Sequence, residues 1–386
     1  MELDGKEITA EMLTPLVQQA LGKQTAVVPA SGNTFHTSPI HGGWGGAIGG
    51  TALYRVTGET EEHGSWSLVL KILYEREGET AVSPYYWKRE FELYRSQMLA
   101  TLPPETQLTT PHIYDCVDHS NACWIWMEDI VDDGGTWSLA DYRLVARRLG
   151  RFNGAYLTGH PLPDYWWLSN QWHCQIVPPL ADILDHLDNY LHHPLAQRVL
   201  PLDVKDEIIG IWQEREQFID ALKSLPQTFC HIDAFRRNIF HSEAETKLID
   251  WALAGIGAVG EELVCFVSLA LYFPHMPLAQ ANQLDQAVFA GYIDGLRDAG
   301  WHEDARLARL GYTCAMTLRG LAGVRQDINL MLNEERHAFL RREQGHETME
   351  EIADFFAAIR RFRLLKMAAE ARRLLAEMPS LRPKLH

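Results

Sequence analysis

Residues 230–252 hold the densest set of side chains in this chain that could do chemistry. Cys230, His231, Asp233 and Asn238 are followed by apolar Ile239 and Phe240, the polar stretch Ser242–Glu245, and then Leu248, Ile249, Asp250 and Trp251. Two short apolar runs around a polar turn read as a β-hairpin. Asp233 and Asn238 precede its first strand and Asp250 ends its second, so the hairpin can gather two carboxylates and an amide at one end. Hard oxygen donors of this kind suit Mg²⁺, which prefers near-octahedral oxygen ligands and keeps waters and substrate phosphates among them. The same residues would also serve simply to cap a turn and to end a strand.

A second set lies in the first quarter of the chain. Residues 41–50 read H-G-G-W-G-G-A-I-G-G, with Gly42, Gly43, Gly45, Gly46, Gly49 and Gly50 just ahead of a strand that starts at Thr51. Glycines here allow tight turns and bring backbone N–H groups close to phosphates. The pattern is neither a P-loop nor a G-x-G-x-x-G, and a flexible surface hairpin has the same composition. Lys71 falls in the apolar middle of the strand Ser65–Tyr74, where an unpaired ammonium is costly. Unless that strand is an exposed edge, Lys71 requires a carboxylate. A helix over residues 84–100, with Trp87, Phe91 and Tyr94 at i, i+4 and i+7, offers Glu90 and, on a different face, Glu92.

His-x-Asp-x-x-x-x-Asn followed after a short hairpin by Ile-Asp-Trp resembles the catalytic and metal loops of the aminoglycoside phosphotransferase and choline kinase family, within the wider protein-kinase-like fold. The resemblance runs from about residue 40 to 265. It implies Asp233 as the catalytic base with His231 as a structural residue of the loop, and Asn238 and Asp250 as Mg²⁺ ligands. It implies Lys71, partnered by Glu90, on the ATP phosphates, beneath a loop containing Gly45, Gly46 and Gly49. The backbone of Met127, Glu128 and Ile130 would form the adenine-binding hinge. Glu262 stands where the family has an Asp that steadies the loop. Two departures stand out: Ile232 occupies a position where these enzymes commonly carry Gly, and 234–237 read A-F-R-R, so Arg236 or Arg237 would supply positive charge near the γ-phosphate. The implied activity is ATP- and Mg²⁺-dependent transfer of the γ-phosphate to a hydroxyl of a small molecule, an aminoglycoside or another cationic acceptor. A catalytically weak nucleotide-binding regulatory protein is the alternative.

Elements must hold these residues in place. Strands over His112–Val117 and Cys123–Met127 follow the 84–100 helix, and the composition turns loop-like near Asp129. The expected architecture is α+β and bilobal: an N-terminal antiparallel sheet lobe, residues 1–128, and a larger, mainly helical lobe, residues 129–386. The periodicity gives helices over 9–21, 138–157, 203–224, 261–272, 283–299, 303–319, 322–340 and 349–375. The last has an apolar stripe of Ile352, Phe355, Phe356, Ile359 and Phe362, and a basic run, Arg360, Arg361, Arg363, Lys366, Arg372 and Arg373, that reads as a solvated face.

Composition narrows the class. The 386 residues and 46% hydrophobic content are ample for two cores. A formal charge of −16, from 35 basic and 51 acidic residues, disfavours nucleic acid and favours cationic ligands. Six scattered cysteines without a C-x-x-C pair fit reduced thiols in a cytoplasmic protein, and neither a signal segment nor a membrane span is expected.

Overall fold

Strand Ser65–Tyr74 sends Trp66, Leu68, Leu70 and Ile72 to one face and Val69, Lys71 and Leu73 to the other, as the period of two requires. That alternation organises the first of two compact units into which the chain divides. Unit 1 comprises Met1–Leu102, Thr109–Gly135 and Lys247–Ala252; unit 2 comprises Pro103–Leu108, Thr136–Thr246 and Leu253–His386. The computed structural model describes residues 2–3, 6–24, 35–40, 50–60, 64–132, 134–177 and 187–378. Gly45, Gly46 and Gly49, read from the sequence as a phosphate-covering loop, lie outside the described residues.

In unit 1, helix α1 (Ala10–Leu21) begins at Thr9, whose hydroxyl accepts from the Met12 N–H, and ends at Gly22 with φ 62°. Strands β1 (Phe35–Pro39), β2 (Thr51–Glu59), β3 (Ser65–Tyr74), β4 (Ile113–His119) and β5 (Ala122–Glu128) form an antiparallel sheet in the order β1-β2-β3-β5-β4. Leu13, Leu16 and Val17 of α1 pack on the Leu68, Leu70, Ile72, Trp124 and Trp126 face, forming one buried cluster. Lys71 is paired in register with Leu53 on one side and Ile125 on the other, so β3 is a central strand and not an edge. Helix α2 is shorter than the sequence suggests: it runs only from Arg89 to Arg95, because 84–88 form turns after Pro84.

Unit 2 is mainly helical. Helix α3 (Leu139–Leu157) opens with a capping box between Ser138 and Asp141. It is followed by α4 (Leu202–Ser224), strands β6 (Gln227–Cys230) and β7 (Ile239–His241), then β8 (Thr246–Leu248), which carries the chain back into unit 1, and β9 (Gly255–Ala258) in unit 2. Helices α5 (Leu263–Tyr272), α6 (Ala281–Asp298), α7 (Ala305–Leu332) and α8 (His337–Gln344) come next. A Cβ at Gly150 would lie 2.2 Å from Tyr292 O, and one at Gly295 would lie 1.9 Å from Arg147 O. Helices α3 and α6 therefore touch backbone to backbone, which only glycine permits at those points.

Two expectations for this unit change. The helices anticipated over 303–319 and 322–340 are one helix, α7, through Gly320 and Gly323, followed by the separate α8. Gly320 is a point of close approach and not a break: its Cβ would sit 3.0 Å from that of Leu364. The terminal helix is α9 (Met349–Arg360), a π-helical turn over Arg361–Lys366, and α10 (Met367–Glu377). Its basic run is not all solvated. Arg361 and Arg373 are exposed, but Arg360 and Arg363 are only 4% and 9% exposed.

Candidate functional site

In unit 1 the candidate residues stand on β3, α2 and the segment 247–252. Period two turns Lys71 away from the α1 face, onto the side where Glu90 of α2 lies. Its ammonium is 2.5 Å from Glu90 Oε2 and 2.9 Å from Asp250 Oδ1. Burial works against charge on Lys71, yet the Asp250 and Glu90 carboxylates overcome it and hold the ammonium above its ordinary pKa. Burial likewise drives the Glu90 carboxyl upward, opposed by Lys71. The Glu92 carboxylate bonds Arg95 at 2.6 Å, so Glu90 alone of the two serves Lys71. Asp250 stands at φ 62°, a left-handed conformation, with its side chain 41% exposed.

Arg89, the neighbour of Glu90, is a residue that the sequence reading passed over. Fully buried, it donates to Ser83 O at 2.9 Å, Pro84 O at 3.0 Å and Ala252 O at 2.9 Å. This clamp fixes the backbone two residues past Asp250. Burial lowers its pKa to about 10, against the pull of the Glu79 carboxylate. At the end of β5, Met127 is buried, while Glu128 is bound by Lys247 Nζ at 2.8 Å and by the His112 N–H at 3.0 Å. Ile130 lies just beyond the strand.

In unit 2 the candidate residues stand on a loop held by its backbone. The fully buried Glu262 accepts from the N–H groups of His231, at 2.8 Å, and Ile232, at 3.2 Å. Burial pushes its carboxyl up to about 7, against the pull of those N–H groups and Asn153. His231 Nδ1 accepts from the Asp233 N–H at 3.2 Å, which assigns the ring proton to Nε2. The Asn238 amide nitrogen donates to Asp233 O at 3.0 Å and Asp233 Oδ2 at 3.2 Å. Asp233 and Asn238 are thus brought together, with the Asn238 NH₂ bonded inside the loop.

Ile232 has φ 69°. A β-branched residue there is strained, and the position commonly glycine in the resembled family is one where the backbone adopts a glycine-favoured conformation. Arg236 donates to Ile239 O at 3.4 Å with its guanidinium 4.9 Å from the Trp137 ring centroid. Arg237 pairs with Glu343 at 3.0 Å and lies over Phe273 at 4.2 Å. Downstream, the turn between β7 and β8 closes with Ser242 N–H donating to Glu245 O at 2.9 Å. Arg148 of α3, 1% exposed, braces it by donating to Ser242 O at 2.8 Å, Thr246 Oγ1 at 2.9 Å and Glu243 O. Arg148 was legible only as one of four arginines in an otherwise amphipathic helix.

Among the described residues no group of three or more His, Cys, Asp or Glu side chains forms a metal cluster. In unit 1 the Lys71 ammonium offsets part of the charge of Glu90 and Asp250, and in unit 2 Asn238 carries an amide oxygen; carboxylate and amide oxygens are donors of the kind that Mg²⁺ takes.

The sequence profile described as the phosphotransferase enzyme family, APH, matches residues 54–301, more than half of the chain. A choline kinase from Cryptosporidium parvum Iowa II is similar in structure, with TM-score 0.52 at 11% identity over 92% of this chain and 93% of that one. The amicoumacin kinase hAmiN, in complex with AMP-PNP, Ca²⁺ and Ami, gives TM-score 0.48 at 13% identity over 83% of this chain and 89% of that one. The aminoglycoside phosphotransferase APH(3'')-Id from Streptomyces rimosus gives 0.42 at 15%, over 82% and 99%. At such identities the likeness is one of fold. No curated protein matches at the sequence level.

Proposed function

The chain belongs to the phosphotransferase enzyme family, and from that premise we propose that it moves the γ-phosphate of ATP to a hydroxyl of a small molecule. The observation that carries this reading is the buried Lys71 ammonium held between Glu90 and Asp250. A cation this desolvated, with two carboxylates fixed around it, is a costly arrangement that a fold has no need of for stability alone. We assign residues 1–128 to nucleotide binding and 129–386 to catalysis and the acceptor.

In this reading Lys71 orients the ATP phosphates and Glu90 orients Lys71. Met127, Glu128 and Ile130 present backbone groups to the adenine, since the Glu128 carboxylate is already committed to Lys247 and His112. Asp233 holds the acceptor hydroxyl. As the acceptor oxygen bonds the γ-phosphorus and the bond to the β–γ bridging oxygen breaks, ADP departs and the hydroxyl proton passes to Asp233. His231 and Glu262 fix the Asp233 backbone; Arg236 and Arg237 add positive charge on the same loop. Asn238 and Asp250 would hold Mg²⁺, which supplies charge that offsets the negative charge developing on the phosphoryl oxygens. No helix among the described residues is long and apolar enough to cross a membrane; we place the activity in the cytoplasm on the thiol content, and expect neither nucleic acid nor membrane as a partner.

Asp233→Asn tests the reading. With a productive acceptor, its turnover should fall by about 10²–10⁴ while MgATP affinity, measured calorimetrically, changes little. Wild-type turnover in this variant would leave a nucleotide-binding protein without the assigned chemistry, as in a regulatory pseudokinase.

A further inference from the structure

Glu261 and Glu262 are consecutive acids, and both are wholly buried. Two carboxylates taken out of water side by side are costly, and each must be supplied with donors. Glu262 has the His231 and Ile232 N–H groups and Asn153. Glu261 draws on other directions: the Ala258 N–H lies 2.7 Å from Oε1, and Nδ1 of the fully buried His173 lies 2.7 Å from Oε2.

The backbone brings His173 to this point. Ser169 and Asn170 pair in parallel with Gly255 and Ile256 of β9, and the Gln171 N–H donates to Ile256 O at 2.7 Å. Gln171, at φ 52°, then turns the chain into the one-turn helix Trp172–Gln175. Because Nδ1 faces a carboxylate, the ring proton sits on Nδ1, the tautomer opposite to that of His231. Burial lowers the pKa of the ring, against the pull of Glu261, and so favours the neutral form. Its Nε2 is buried with no hydrogen-bond partner among the described residues. An acceptor left unused in this way carries a penalty, so the bond at Nδ1 is what the placement of the ring secures.

Glu261 in turn shapes the entry to α5. Its N–H donates to Ala258 O at 3.0 Å while its carboxylate accepts from the Ala258 N–H, so the two residues close the turn reciprocally. Within that turn Gly260 has φ 95°, and a Cβ there would lie 2.0 Å from Ala308 O of α7. The next residue is Glu262. The direction in which its side chain leaves the turn decides whether it meets the His231 and Ile232 N–H groups, which immediately precede Asp233.

We propose that His173 is a positioning residue for phosphate transfer: through Glu261 it fixes the turn from which Glu262 holds the backbone of the Asp233 loop. The effect on turnover rests on the phosphotransferase reading; the effect on the loop does not.

Hydrogen exchange at the His231 and Ile232 amides tests the loop, and ADP release from MgATP, with water, glycerol or choline as acceptor, tests the reaction. His173→Leu removes the donor. His173→Asn keeps one, because its amide nitrogen takes the place of Nδ1, whereas His173→Gln puts that nitrogen at the place of Nε2. In His173→Leu the two amides should exchange faster by on the order of tenfold, the scale of one hydrogen bond, with α3 and α6 as protected as in the wild type. His173→Gln should resemble it, and His173→Asn should stay near the wild type. The kcat of His173→Leu should fall by up to about a hundredfold, as for a small misplacement of a reacting group, with KM for MgATP little changed, and His173→Asn should recover most of the loss. Unchanged exchange in His173→Leu, faster exchange spread evenly over unit 2, or equal behaviour of His173→Asn and His173→Gln would overturn the positioning role; the last comparison decides the matter if His173→Leu does not fold. Loosened amides with wild-type turnover, or no ADP release by a wild type that binds MgATP, would overturn the assignment to the reaction. Failure of MgATP to bind at all would sink the phosphotransferase reading while leaving the exchange result standing.

Discussion

Two buried cations show opposite solutions to one problem. Lys71, in the central strand of unit 1, has one ammonium against two carboxylates; Arg363, in the π-turn of unit 2, shares with Arg360 the one carboxylate of Asp327, which accepts its hydrogen bond from Arg360. The first cluster carries excess negative charge and the second excess positive charge. Desolvated charge is tolerated when it is paired, and the two cations are paired to different degrees. The chain's net charge of −16 conceals this, because it says nothing of where the charges stand.

Removing each cation is the sharpest way to break that comparison. Lys71→Met leaves Glu90 buried without its partner and should cost about 3–5 kcal/mol in urea unfolding. Adding Glu90→Gln should recover part of the loss. Arg363→Met removes a cation whose carboxylate neighbour, Asp327, keeps its hydrogen bond from Arg360, and should cost less than Lys71→Met. Equal losses for the two single variants would show that Arg363 is held as strongly as Lys71 and that the contrast is false.

A buried acid without a cation extends the contrast. Glu262 is held by the His231 and Ile232 N–H groups and by Asn153, and its carboxyl is raised to about 7 from an ordinary 4.5, chiefly by burial. A raised pKa means that the folded state binds its proton more tightly than the unfolded chain. The corresponding stability is complete below pH 4.5 and is lost as pH rises through 7. The slope should reach up to about 1.4 kcal/mol per pH unit, and Glu262→Gln should flatten it between these limits. An unchanged slope in the variant would assign it to other groups.

The smallest effect is expected at Ile232. Glycine normally costs more than alanine in a fixed backbone, but at φ 69° the order should reverse. Ile232→Gly should be more stable than Ile232→Ala by about 1 kcal/mol, read from the same urea curves. The usual order would mean that the left-handed backbone at this loop is not maintained.

These residues also mark what was legible in the chain. Lys71 could be read because a strand has a period of two and a charge in its apolar middle has few possible explanations. The Asp233–Asn238 loop and Asp250 could be read from spacing and residue type. The conformation at Ile232 could not, since isoleucine argues against φ above zero and only the resemblance to a glycine-bearing family hinted at it. Arg360 and Arg363 were within reach: they fall four residues after Phe356 and Ile359 of the apolar stripe, which places them on the buried face. Their charge argued for solvent more strongly than their phase argued for the core. Arg89 and Arg148 act on backbone carbonyls far along the chain, at Ala252 and at Ser242–Glu243, and no local pattern encodes a partner of that kind.

The chain enters unit 1 twice, the second time only with Lys247–Ala252. On the ribosome this imposes an order of events. When residue 135 has been added, the five-stranded sheet, Lys71 and Glu90 are all present, but Asp250 and the Ala252 carbonyl that Arg89 grips are not. At 5–20 residues per second, those groups follow roughly ten seconds later. The nascent sheet must wait with its charged centre half assembled, and translation of the middle of unit 2 sets the time at which the first unit can be completed.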